Sequence, residues 1–269
     1  MRRSQTSFWG VILVALLSGC VATGPGGKTS LVIIPTSQEV AIGQAMAQEI
    51  ANTEKKLPDS AWQAYLTEVG QRLVTVCDRK DMEYRFTVIE SDQINAFAAL
   101  GGFVYFYTGV LNMMENEAEL AAVMAHEISH VVARHGAKRL QAAMGASLAY
   151  ELVFGKNSSQ TLQTAVGVGM SLLFASYSRE NEREADDFAV TYMIRAGYDP
   201  TAMETMFGKL AASGTEQNAF EKLVSSHPET QERIRNTRAA VTQKKPLPSN
   251  LKLGRERYQQ MIKRLPTGK

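Results

Sequence analysis

From Glu117 to Leu140 the chain runs through Ala, Glu, Val, Met and Leu, with no Pro and no Gly before Gly136, and this predicts one continuous helix. Val123, Met124, Ile128, Val131 and Val132 make it strongly apolar, so it is predicted to be buried. Phe103 to Tyr107 is aromatic and β-branched, is bounded by glycines, and reads as a strand. Such a strand lies either at a sheet edge, where an extended peptide could pair with it, or in an ordinary core. Leu162 to Tyr177 is apolar, but at roughly 16 residues it falls short of the ~20 needed to cross a bilayer. It is expected to be a buried or cleft-covering helix that forms a mobile hairpin with the polar loop Lys156 to Gln160. Ser178 to Asp187 reads as a charged helix with Glu182 and Asp186 on one face and Glu180 and Glu184 roughly opposite. From Lys244 onward the chain is basic and carries Pro246, Pro248 and Pro266, which predicts a solvated tail with a short helix near Arg255 to Arg264.

At 269 residues and 45% hydrophobic, the chain can hold one sizeable core, and no internal repeat is visible. A net charge of +2 excludes general nucleic-acid binding by charge. Arg2 and Arg3 precede an apolar run from Phe8 to Leu17, the pattern of a secretory signal. Leu17-Ser18-Gly19-Cys20 resembles the bacterial lipobox, which implies removal of residues 1–19 and lipid on Cys20. The alternative is an uncleaved apolar anchor. Val21, where an aspartate could stand, favours the outer membrane with the folded domain in the periplasm, tethered through residues 20–36. Cys77 is then without an intrachain partner, so it is either a small buried residue or a site of intermolecular disulfide formation.

Two of only four histidines fall in His126-Glu127-Ile128-Ser129-His130. On a helix, residues four apart lie about 40° apart around the axis, so both imidazoles can serve one tetrahedral zinc. Glu127 sits about 100° further round and can reach water without being a ligand. Buried unpaired, these three groups would cost several kcal/mol; a metal satisfies all of them. A third ligand is required, and Glu182 is the candidate, with Asp186 fixing the tautomer of a ligating imidazole, His126. The alternative for this segment is a solvated helix whose charges pair with Arg179 and Arg183. His135, nine residues after His126, lies about 180° away on the same helix and cannot join the same metal from it. His227, followed by Pro228, is either a surface loop residue or a group that folds over the metal to hold an oxyanion or fill the open position.

The ordered set His126-Glu127-x-x-His130, Glu182-x-x-x-Asp186 and His227-Pro228, with Asn95-Ala96-Phe97 and Gly101 to Gly109 upstream, resembles the zinc metallopeptidase (gluzincin) family that includes HtpX, the CaaX prenyl protease, LoiP and BepA. The likeness spans about residues 37–241. It implies an α+β, mostly helical, zincin-like domain over residues 37–242, followed by the basic tail 243–269. A small mixed sheet is implied, whose edge strand lines the cleft. It further implies one Zn2+ held by His126, His130 and Glu182, Glu127 as catalytic base, and Asn95, Ala96 and Phe97 holding the substrate backbone. The expected function is a lipid-anchored endopeptidase acting on misfolded or stalled envelope proteins, with an envelope assembly partner a further expectation. Two alternatives stand: a chaperone or assembly factor using the same cleft with rare cleavage, and an interaction module with a structural zinc.

Overall fold

The computed structural model describes residues 20–22, 29–155, 159–213, 227 and 230–266. The signal, tether residues 23–28, Pro228 and loop residues 156–158 lie outside the described residues. Strands β1 (Cys20–Ala22) and β2 (Thr29–Leu31) form an antiparallel pair, and β3 (Arg85–Ile89), β4 (Ala96–Ala99) and β5 (Phe103–Tyr107) form a mixed sheet. In chain order the helices are α1 (Thr36–Thr53), α2 (Ser60–Val74), α3 (Thr108–Met113), α4 (Glu117–Val132) and α5 (His135–Phe154). They continue with α6 (Ser159–Leu172), α7 (Arg179–Arg195), α8 (Thr201–Ser213), α9 (Thr230–Gln243) and α10 (Arg255–Ile262). The expected α+β, mostly helical domain with a small mixed sheet is what forms.

The sheet order is β3-β5-β4, with β5 parallel to β3 and antiparallel to β4. Phe103 to Tyr107 is therefore the central strand, and the edge-strand option for it is corrected: the edge nearest α4 is β4. The reason lies in its composition. Val104 and Phe106 enter the core built with α2, α4, α7 and α8, while Phe103, Tyr105 and Tyr107 enter a second core with α1, α5 and α6. A strand covered on both faces needs apolar residues at every position rather than at alternate ones.

The predicted helix from 117 to 140 is also corrected, because it is two helices. Helix α4 stops at Val132, and Arg134 adopts a left-handed backbone (φ 56°) that turns the chain into α5. The strain is offset by burial of Arg134 in a charge cluster, where its Nη2 lies 2.9 Å from Glu39 Oε2 and Arg79 Nη2 lies 2.8 Å from the same oxygen. Helix α4 starts cleanly: Asn116 Oδ1 accepts from the Glu119 amide at 3.0 Å, and the Glu119 carboxylate accepts from the Glu115 amide at 2.7 Å. Every residue of α4 is buried.

The apolar segment after residue 158 forms α6 and then turns; no helix among the described residues is long and apolar enough to cross a membrane. Residues 244–266 are mostly exposed, as expected of a solvated tail, yet they run back over the domain as a strap in which Tyr258 and Leu265 are buried. Ala118 N donates to Leu253 O (2.9 Å), Tyr258 Oη to Leu111 O (2.7 Å) and Trp62 Nε1 to Met261 O (2.9 Å). The short helix inside this segment is where the sequence placed it. Cys77 is buried and unpaired, its thiol donating to Arg79 O.

Candidate active site

Helix α4 carries His126 and His130 one turn apart, and their Nε2 atoms face each other at 3.0 Å. Helix α7 lies across α4 and brings Glu182 from its first turn, with Oε1 3.4 Å from His130 Nε2 and Oε2 3.5 Å from His126 Nε2. Ser178 caps that turn, its Oγ accepting from the Asn181 amide at 3.2 Å. His227 closes the group: Nδ1 is 2.9 Å from Glu182 Oε1 and 3.3 Å from His126 Nε2. All four side chains are buried, and their donor atoms lie within 4.8 Å of one another.

The surroundings fix how the imidazoles point. His126 Nδ1 lies 2.8 Å from Asp186 Oδ1 and donates to it, which leaves the Nε2 lone pair turned inward. Behind His130 stands a relay that sequence reasoning missed. His135 Nε2 donates to Glu184 Oε2 (3.0 Å), so Nδ1 of this neutral ring accepts from His130 Nδ1 at 2.9 Å. Burial is the main force holding His135 neutral, pushing its pKa down. His135 is thus fully buried, and the break at Arg134 is what swings it behind His130. Two inward lone pairs 3.0 Å apart, with the Glu182 oxygens 3.4 and 3.5 Å from them, would repel one another with no cation between them. A His, His, Glu donor set of this geometry fits zinc, with His227 able to take a fourth position.

Arg233 of α9 is the second group the sequence did not assign. It forms a fork on Asp186, with Nη2 to Oδ1 at 2.7 Å and Nε to Oδ2 at 2.9 Å, and its Nη1 lies 3.1 Å from Glu182 Oε2. Two carboxylates four apart on one buried helix face demand a cation, and that demand was the signal available. Tyr177, in the turn before α7, stacks on the His130 ring with centroids 4.1 Å apart and carries Arg139 on its own ring at 4.4 Å.

Burial raises the Glu127 carboxyl above its ordinary value, outweighing the nearby positive charges. Burial also pushes Glu182 up, but His227 and Arg233 prevail and hold it well below the usual carboxylate range. For His227 burial pulls downward, and the carboxylates of Glu182 and Glu127 overcome it and raise the ring. Glu127 Oε1 lies 3.8 Å from His227 Nε2. The side chains of Asn95, Ala96 and Phe97 are buried, and Phe97 is stacked on Tyr105 at 4.8 Å. It is the next residues, Ala98, Ala99 and Leu100, that line a pocket with His130 and Tyr177.

Residues 60–241 match the profile of Peptidase family M48. Over 266 residues the chain is 30% identical to the beta-barrel assembly-enhancing protease of Yersinia pestis, covering 88% of this chain and 55% of that one. It is 27% identical over 242 residues to the metalloprotease YcaL of Escherichia coli, covering 84% of this chain and 93% of YcaL. It is also 29% identical over 181 residues to the metalloprotease LoiP of Escherichia coli, covering 64% of this chain and 70% of LoiP. The chain spans about half the length of the beta-barrel assembly-enhancing proteases it matches. A profile match over most of the chain, falling on the residues that surround the His126, His130 and Glu182 cluster, places the protein in peptidase family M48, the zinc metallopeptidases.

Proposed function

We propose that the protein is a zinc endopeptidase tethered by lipid on Cys20 to the periplasmic face of a bacterial outer membrane, cleaving misfolded or stalled envelope proteins. The convergence of His126, His130 and Glu182 beside the buried carboxyl of Glu127 carries this reading. Zinc, when bound, polarises the scissile carbonyl and brings the pKa of water towards neutrality. Glu127 takes the proton from the attacking water and hands it to the leaving amine, a role suited to a carboxyl raised by burial. Asp186 and the His135–Glu184 relay keep the two imidazoles in the tautomers that present Nε2, and Arg233 keeps Asp186 and Glu182 ionised. The substrate backbone pairs with the outer edge of β4, whose buried side chains leave only main-chain groups to offer at residues 95–97. His227 swings from Glu182 to the oxyanion as the tetrahedral intermediate forms. The name beta-barrel assembly-enhancing protease, carried by the Yersinia pestis and Escherichia coli relatives, supports a role beside an assembly partner.

The test is zinc content together with casein cleavage. Glu127→Gln should retain the metal and lose cleavage by at least a hundredfold; His126→Ala should lose the metal. Undiminished cleavage by Glu127→Gln would remove the proposed base.

A second reading is an assembly factor with latent proteolysis, favoured by one observation: His227 sits on Glu182 and His126 rather than away from them. In that case His227→Ala should raise casein cleavage; a fall would assign His227 to the chemistry.

A further inference from the structure

The contacts that His130 makes with the rings of His126, His135 and His227 are edge-on, with interplanar angles of 77°, 69° and 64°. Tyr177 meets it differently: the two rings stack, with an interplanar angle of 30° and centroids 4.1 Å apart. Tyr177 belongs to the turn between α6 and α7, so no helix or strand fixes where its ring lies. Packing does not enclose it either. Clefts of about 320 and 250 Å³, counting the space open to solvent, border the ring, and Ala98, Ala99, Leu100 and Gly136 line both. The ring is held instead by the Arg139 guanidinium of α5, whose carbon lies 4.4 Å from the ring centre. Arg139 is itself tied down, because its Nη2 donates to Leu172 O at the end of α6 (3.0 Å).

We infer that Tyr177, held in place by Arg139, is a positioning residue that sets the tilt of the His130 ring and with it the direction of the Nε2 lone pair. The inference rests on the zinc peptidase reading above, through His130 as a ligand. The hydrogen bond between His130 Nδ1 and His135 holds the ring within its own plane, but it resists a tilt of that plane weakly, since such a bond tolerates a wide range of angles near linearity. A second ring lying against the imidazole face resists the tilt directly, through van der Waals contact over its whole area. A tetrahedral ion needs each donor aimed at it, so a tilt of one ligand lowers affinity without removing the ligand. The contact uses the face of Tyr177, and its hydroxyl has no part in it. Arg139 joins α5, the end of α6 and this ring, so the direction of one zinc ligand depends on where α6 ends.

The experiment uses the full-length protein, with zinc affinity read by competition against a chromophoric chelator and ligand directions read from the visible absorption of the Co2+-loaded form. Tyr177→Leu should weaken zinc binding about 10–100-fold, the range for groups that orient a ligand. It should also shift the cobalt bands, and lower kcat on fluorescent casein with KM unchanged. Tyr177→Phe keeps the ring and should match wild type in all of these. Arg139→Gln keeps a donor for Leu172 O but removes the cation, and should weaken zinc binding about 2–30-fold, with the same spectral change. If Tyr177→Leu does not fold, Arg139→Gln against Tyr177→Phe decides. Wild-type affinity and spectrum in both Tyr177→Leu and Arg139→Gln would overturn the inference. So would a Tyr177→Phe as impaired as Tyr177→Leu, which would assign the effect to the hydroxyl, or a raised KM with an unchanged spectrum, which would make Tyr177 a wall of the substrate cleft. Each of these leaves the peptidase reading standing, whereas a wild-type protein that binds neither metal would overturn both.

Discussion

The residues that matter most here act in pairs, and the least obvious pair is His135 and Glu184. A ligating imidazole binds metal well only when its other nitrogen is held, and for His130 that hold passes through a second imidazole to a half-buried carboxylate. Glu184→Gln should therefore weaken zinc binding about 10–100-fold without changing the ligands themselves. His135→Phe should do the same or worse, and competition with a chromophoric chelator measures both. Equal affinities for wild type and both variants would make the relay ornamental. The HExxH spacing was legible because four residues along one helix dictate where two side chains meet. That Glu184 serves the same site was not, since it lies on the face of α7 opposite Glu182 by simple rotation. It reaches the site only because the chain turns at Arg134 and carries His135 out to meet it. A left-handed arginine leaves no mark in a local pattern of apolar residues; its cause is a distant carboxylate, Glu39.

At the scale of elements, the geometry depends on α7 starting in the right place. Glu182 occupies the first turn of that helix, and the turn is closed by a single side-chain bond from Ser178 to the Asn181 amide. Ser178→Ala should cost about 1 kcal/mol, lowering Tm by roughly 2–4 °C, and should weaken metal binding through Glu182. Ser178→Asp should restore both, which a calorimeter and the same chelator titration can show. Loss of stability with no change in metal affinity would separate the cap from the site. Elements were legible where the two faces of a helix differ, as in α7, where Glu182 and Asp186 share the face that is buried. They stayed open where burial is total: Phe103 to Tyr107 gives the same run of apolar residues whether it lies at an edge or at a centre, and only its two neighbours decide.

At the scale of the whole molecule, the strap from residue 244 to 266 ties the start of α4 to α2 and so braces the helix that carries the zinc cluster. Glu117 is its anchor. This buried carboxylate accepts from Tyr65 (2.9 Å), Tyr198 (2.8 Å) and Lys252 (2.8 Å). Burial pushes Glu117 up, but the bonds from Lys252, Tyr198 and Tyr65 together prevail and hold it below its ordinary 4.5. Two more carboxylates facing the strap are lowered as well: Glu68, chiefly by its bond to Arg257, and Asp59, chiefly by the Trp62 amide and, against burial, by Arg264. The sign follows directly. A carboxyl depressed in the folded state contributes stability that is complete above its unfolded value and is lost as pH falls through the folded one. All three therefore weaken the strap in acid, and none weakens it at neutral pH. Limited proteolysis should then cut residues 244–266 more readily as the pH falls below the ordinary carboxylate range. Tyr258→Ala removes a ring that is wholly buried against Trp62 and Tyr65, and should cost about 3–5 kcal/mol at any pH. Glu117→Gln should instead cost most at pH 7 and converge on wild type in acid, a difference that Tm measured across pH resolves. If the two variants showed the same pH dependence, the strap would be held by packing alone, and the bracing of the zinc helix would owe nothing to charge.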